Sequence, residues 1–265
     1  MGLFFFAALI GVSLIVTLYL QVGLGWTPLR AGLATLPQAL GSIAGFVAAG
    51  AGLSERLGRR LLLIGTVIVA CGVAGLAGTV QLAGAGLTPW QLIPAMVPLG
   101  AGLGLAMAPF FSIVLSGVDD EETGSASGAL TSVQQLGGAF GIAVLGTVFF
   151  GLLPGAVGHH VDAVALRPAL TAASVPAQAQ PALVTALRTC LQDQAAEEDP
   201  AVRPASCRAA EGGTAPDLAA YAGPAVQAGF RDTTVTGLLV ALVLLLAAFG
   251  LAFLLPREIR PGAEH

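Results

Sequence analysis

Six stretches of the chain are long and apolar enough to cross a membrane, and no other feature narrows the choice of fold as much. They are Leu3–Val22, Leu33–Leu53, Leu61–Leu82, Gln91–Ser116, Ser127–Phe150 and Thr233–Leu255, and none has a charged residue in its middle. A helix needs about 20 apolar residues to cross a hydrocarbon core of roughly 30 Å. Only helices and closed barrels satisfy their backbone hydrogen bonds inside lipid. These runs are continuous and do not alternate with period two, so the sequence predicts an all-α membrane protein with six transmembrane helices. Composition excludes the soluble alternative. Only 10% of the 265 residues are charged, against roughly 25% in a soluble domain. All eleven basic residues are Arg and they form no basic face, so the expected surroundings are membrane lipid and no nucleic-acid partner is expected.

The first stretch lacks a basic leader and is followed by Tyr19-Leu20-Gln21 in place of a small-residue cleavage pattern. It is expected to stay in the protein as a membrane helix. Orientation follows from the Arg content of the short loops. Ser54–Arg60 carries Arg56, Arg59 and Arg60, and the C-terminal tail carries Arg257 and Arg260, whereas the opposite short loops hold only Arg30. Both termini are therefore expected in the cytoplasm of a multi-pass plasma-membrane protein. Trp26 and Trp90 fall at the opposite, outer interface, where indole rings anchor.

The expected organisation is residues 1–150 as helices one to five, 151–232 as an extracytoplasmic loop, 233–255 as helix six, and 256–265 as a cytoplasmic tail. The loop holds most of the Asp and Glu, many Pro, and His159 and His160. Pro181–Gln194 and Pro216–Gly229 read as short amphipathic helices within it. Cys190 and Cys207 lie in the same loop, where an oxidising compartment permits a disulfide; two free thiols in a flexible segment are the alternative. Cys71 is expected to be buried in the third helix.

An internal repeat runs through the helices. Gly32–Gly41 aligns without gaps on Gly128–Gly137, with identities at Gly32/Gly128, Thr35/Thr131, Gln38/Gln134, Leu40/Leu136 and Gly41/Gly137, and Gly45/Gly141 continues the frame. These are the second helices of two three-helix units that cross in opposite senses, as an inverted three-plus-three repeat requires.

The loop Ala51-Gly52-Leu53-Ser54-Glu55-Arg56-Leu57-Gly58-Arg59-Arg60 resembles the signature loop between the second and third helices of each half of a major facilitator superfamily transporter. Ala51 replaces its leading Gly and Glu55 its Asp, a degeneration usual for the family's C-terminal copy. Tyr19–Leu33, the Thr123–Gly128 segment and Gln134–Gly141 resemble the fourteen-helix drug–proton antiporter branch, and a large external loop before the last helix fits it too. The resemblance implies one half of a major-facilitator fold, the C-terminal one. It further implies a proton-coupled exporter of small amphipathic compounds with a small-molecule substrate and a missing N-terminal half of six to eight helices as partner. A non-transporting truncated fragment, or a partner-dependent membrane subunit, is the reading from another class. Met1 opens directly onto an apolar helix, as an internal start or a truncated gene would.

Several side chains are candidates for function. Gln38, Gln134 and Gln135 are uncharged polar groups at membrane depth; such groups face the protein interior, where they line a substrate cavity or join helices. Glu55, Arg56, Gly58, Arg59 and Arg60 are expected to hold topology and, through the resemblance, to gate the carrier. Gly100/Gly104, Gly124/Gly128 and Gly137/Gly141 form small-xxx-small pairs that permit close helix packing. Asp119–Glu122 precedes the fifth helix, where acids complement the helix dipole. Gly124-Ser125-Ala126-Ser127-Gly128 puts Ala126 where a nucleophile elbow needs Ser, and no membrane segment holds a His base. No enzyme activity, cofactor or metal site is expected.

Overall fold

Every apolar stretch is helical over its described residues, and every regular element among the described residues is helical. In the computed structural model residues 1–115, 123–161, 166, 170–171, 175–197, 202, 204–207 and 218–252 are described. The acidic run Asp119–Glu122, the tail 256–265 and its arginines lie outside them.

Helix α1 (Gly2–Leu18) ends in a π turn, Tyr19–Gly23. Thr27 caps α2 (Pro28–Ala48) by accepting the Arg30 backbone N–H at 3.3 Å, and Pro28 occupies the first turn, where a missing N–H costs nothing. A second π turn, Ala49–Leu53, breaks the axis at Gly52 (φ 96°) and leads into the single turn α3 (Ser54–Leu57). Gly58 (φ 46°, ψ −121°) then reverses the chain into α4 (Arg59–Ala83). Helices α5 (Pro89–Leu115), α6 (Thr123–His159), α7 (Gln180–Ala196) and α8 (Leu218–Ala252) follow. All but α7 belong to the six spans of membrane-crossing length and apolarity, α3 being the end of the second, Pro28–Leu57.

Helix α5 packs between α2 and α4, α1 packs between α6 and α8, and α4 lies against α8. Exchanging α1, α2, α4 with α5, α6, α8 turns the α2/α5 contact into α6/α1 and α4/α5 into α8/α1, and maps α4/α8 onto itself; the α6/α8 contact has no α2/α4 counterpart. Glycines fix the register of this exchange. A Cβ on Gly41 would strike the Val97 carbonyl oxygen and one on Gly45 that of Ala101. Their repeat mates Gly137 and Gly141 meet the Leu3 oxygen (2.9 Å) and the Ala7 oxygen in turn. Leu3 and Ala7 therefore stand in α1 where Val97 and Ala101 stand in α5. The repeat legible between α2 and α6 is a real one, because it also relates their partners.

The core between the six spans is apolar, with Ile15, Leu62, Leu76, Met96, Leu99, Leu145, Phe149 and Leu238 at 2% exposure or less. Cys71 is exposed, not buried as expected; its side of α4 faces outward. Trp90 is exposed, as an interfacial anchor must be, but Trp26 is buried in the core. Gly100 and Gly104 sit against the α2 backbone at Gln38–Ser42 and Ser42–Phe46. Gly124 and Gly128 do not pack as expected, since a Cβ on either meets nothing within 4 Å.

The stretch read as a long loop is largely built. Helix α6 runs past Phe150 to His159, and α8 starts at Leu218, well before Thr233. Gly229 of α8 lies against Val157 of α6, with Phe149 and Phe230 in ring contact at 5.8 Å. Helix α7 covers this crossing: Arg188 Nη2 donates to the Val161 carbonyl oxygen at 2.7 Å. Val161, Leu166, Leu170, Val184, Leu187 and Ala225 form a second apolar cluster. Cys190 of α7 and Cys207 are disulfide-bonded, their Cα atoms 4.5 Å apart.

Candidate functional site

A cavity of about 300 Å³ opens between α1, α2, α4 and α5. Its floor is apolar: Leu76 from α4 and Met96 and Leu99 from α5. Its walls carry hydroxyl and amide groups, Ser13 and Thr17 from α1 and Thr35, Gln38 and Ser42 from α2. Helical spacing puts them there. Ser13 and Thr17 are four apart, and Thr35, Gln38 and Ser42 follow at three and four, so each set shares one face. The sequence held this signal, but the reading picked out only the amides.

The hydroxyls are partly committed. Thr17 donates to the Ser13 carbonyl at 2.7 Å, Thr35 to Gly32 at 2.9 Å, and Ser42 to Gln38 at 3.0 Å. Such back-bonding spends the proton on the helix and leaves the oxygen lone pairs turned outward. The Gln38 amide makes no hydrogen bond to any described residue and remains available as donor and acceptor. No ionisable side chain lines the cavity. Gln134, the repeat mate of Gln38, and Gln135 lie on α6 and are not part of this lining.

At the far end of the bundle from Ser54–Arg60, three charged or titratable groups meet. Asp232 of α8 accepts from Arg231 Nε at 2.9 Å and pairs with its Nη2 at 2.8 Å, while the second oxygen lies 2.7 Å from His160 Nε2. Tyr19 at the end of α1 donates to the Gly84 carbonyl at 2.9 Å, and Gly84 in turn abuts the Arg231 side chain. The ends of α1, α4, α6 and α8 are thereby tied together. His160 has Asp232 for its partner, and no group of three metal-ligating side chains converges among the described residues.

In the signature loop the two positive-φ glycines, Gly52 and Gly58, bracket α3. Glu55 and Arg56 are exposed and Glu55 makes no ion pair with any described residue. The loop geometry is thus set by glycine; Glu55, Arg56 and Arg60 are exposed, while Arg59 is half-buried.

The family model described as "Major Facilitator Superfamily" matches residues 1–142, which contain α1 to α5, the signature loop and most of the α6 repeat. The chain belongs to the Major Facilitator Superfamily. Among curated relatives of this superfamily member is the "Probable actinorhodin transporter" of Streptomyces coelicolor, 39% identical over 264 residues, which cover 98% of this chain and 46% of the relative. The "Puromycin resistance protein pur8" of Streptomyces alboniger is 32% identical over 57% of this chain and 30% of its own length. The "Tetracycline resistance determinant" of Streptomyces rimosus is 34% identical over 52% of this chain and 39% of its own. The chain spans less than half the length of these relatives. It is a multi-pass membrane protein of a transporter superfamily, and its relatives are named for transport and drug resistance.

Proposed function

We propose that the chain is the C-terminal half of a proton-coupled exporter of small amphipathic compounds, working by alternating access against an N-terminal half. The observation that carries this reading is the uncharged polar cavity over an apolar floor, a lining suited to amphipathic molecules. Gln38 with its hydroxyl neighbours forms this half's contribution to the substrate site, and Gln134 and Gln135 face the same pathway from α6 once the second half is in place. The degenerate signature loop, with Ala51 and Glu55, favours the C-terminal copy.

The second half docks where the bundle is barest. The α2 span is only 17% buried, and the α6 and α8 spans 33% each. Gly32 on α2 and its repeat mate Gly128 on α6 both face open space. Small residues on two bare helices suit close approach of further helices. Glu55, Arg56, Arg59 and Arg60 then act on the cytoplasmic side, gating against helix ends of the other half. Both termini lie in the cytoplasm of the plasma membrane. The chain performs no catalytic chemistry.

Proton coupling requires a protonatable group within the membrane. Among the described residues no carboxylate lies mid-span, so the coupling acid comes from the N-terminal half. The test is ethidium or Hoechst dye flux in proteoliposomes under an imposed proton gradient. The chain alone should give none, and co-expression with an N-terminal half should produce saturable flux. Saturable, gradient-driven flux from the chain alone would overturn the half-transporter reading. Absence of flux from both preparations favours the other reading, a non-transporting, partner-dependent membrane subunit.

A further inference from the structure

A second cavity lies on the other side of α2 from Gln38 and Ser42. It is a groove of about 430 Å³ between the starts of α2 and α5, lined by Leu29, Arg30, Leu33 and Pro37 on one side and Trp90 and Ile93 on the other. At 100° per residue, Arg30, Leu33 and Pro37 point well away from the Gln38 face. The groove therefore opens on a different side of α2 from the substrate cavity.

Its lining is apolar except for Thr27, which caps α2, and the one charged group, Arg30. Leu29 is 74% and Trp90 79% exposed, so both meet acyl chains when the helices are in lipid. Both stand in the first turn of their helices, at the depth where indole rings and headgroups meet. Arg30 stands at the same level. Its guanidinium carbon lies 4.2 Å from the centre of the Trp26 ring, which is itself buried, and this stacking fixes the cation at the groove mouth.

Nothing in the described chain neutralises that cation. No acidic residue lies in the first turn of α2, no carboxylate pairs with Arg30 among the described residues, and the adjoining connections 24–27 and 84–88 contain no acid. The first turn of a helix also carries partial positive charge. A lone cation in that place has electrostatic use for an anion, and the bilayer supplies one attached to an acyl chain. Charge at the mouth and apolar walls below match the two parts of one molecule.

We propose that this groove is a binding site for an anionic phospholipid, its phosphate on Arg30 and one acyl chain between Leu33 and Trp90. Zwitterionic lipid of the same chains offers the same apolar fit without net charge, so the site discriminates by headgroup.

The test is native mass spectrometry of the purified full chain, titrated with phosphatidylglycerol or phosphatidylcholine of identical chains. Phosphatidylglycerol should be retained about fivefold better, the equivalent of ~1 kcal/mol for one basic side chain at an anionic surface. Arg30→Gln should reduce the preference to nothing and Arg30→Lys should keep it, each checked for native helix content by circular dichroism. Leu33→Trp, which fills the groove and leaves Arg30 in place, should weaken retention of both lipids. Equal retention of the two lipids by the unmodified chain, or an unchanged preference in Arg30→Gln, overturns the proposal. Displacement of bound phosphatidylglycerol by millimolar inorganic phosphate would also overturn it, because the groove would then contribute nothing.

Discussion

Replacing Gly141 by Ala should destabilise the bundle, whereas the same change at Gly128, in the same helix, should not. A Cβ on Gly141 would lie 2.7 Å from both Cα and C of Ala7 and closer still to its carbonyl oxygen. Carbon atoms settle at 3.5–4.0 Å, so the α1/α6 seam would have to open by about 0.7 Å or more, and gaps of that size forfeit a quarter to a half of each contact's dispersion energy. Backbone cannot rotate aside as a side chain can. The expected loss is ~1–3 kcal/mol, the usual cost of overpacking, partly offset by the better helix propensity of Ala, up to ~1 kcal/mol. Gly128→Ala meets nothing within 4 Å and keeps only that propensity gain. Gly45→Ala should behave like Gly141→Ala, because the repeat places it against Ala101 in the same way. Unfolding in dodecylmaltoside–SDS mixtures, followed by circular dichroism, measures all three. Equal stability of Gly141→Ala and Gly128→Ala would refute both the seam and the register of the repeat.

Gly58→Ala should cost ~1–3 kcal/mol, since φ 46° with ψ −121° is open only to glycine; faster amide exchange across 54–60 would report it, with Gly50→Ala as the unstrained control. A Cys190–Cys207 linked peptide should appear in non-reducing mass spectra of the membrane-purified protein, and finding both thiols free rejects the bond. Reducing it releases a closure worth ~3 kcal/mol for a loop of this size and should expose residues 175–207 to protease. Asp232→Asn removes the charged partner of Arg231 and His160, so exchange should quicken at 155–161 and 223–232; unchanged protection would mean the cluster ties nothing together. With Cys71 replaced, a single cysteine at Ala196 should react with impermeant maleimide in intact cells while one at Arg56 stays protected, and the reverse labelling sinks the proposed orientation.

The spans were legible because lipid imposes one rule on every residue within them, and a run such as Leu61–Leu82 has few other uses. Packing was half legible. Gly137 and Gly141 have the same spacing as Gly124 and Gly128, yet only the first pair meets a backbone. Spacing defines a face but does not say what lies opposite, and the helix opposite α6 begins at Gly2, more than a hundred residues away. The same limit hid Ser13 and Thr17, whose face becomes a cavity wall only because α2, α4 and α5 lie around it. The segment between the fifth and sixth spans was legible in part: a helix was expected at Pro181–Gln194 and α7 runs from Gln180 to Ala196, but the fifth span was expected to stop at Phe150. Hydropathy ends at the membrane surface, but the α6 and α8 hydrogen-bond ladders do not, and His160 finds Asp232 only because both helices continue. The Trp26 side chain shows a third limit: an indole at the right depth anchors in lipid only if its helix turns it outward.

Helices α6 and α8 have 37 and 35 residues, which at 1.5 Å per residue makes each roughly 55 Å long, about 25 Å more than a hydrocarbon core. The surplus is a lever. A tilt of about 10° within the bilayer sweeps the far end of a 1.5 Å-per-residue rod of that overhang through ~4 Å. Because the Asp232 cluster and the Gly229/Val157 crossing join the two helices above the core, both ends swing as one arm and carry α7 with them. A small rearrangement at the cavity is therefore magnified at Cys190, and a spin label or fluorophore on the exposed face of α7 would read it out.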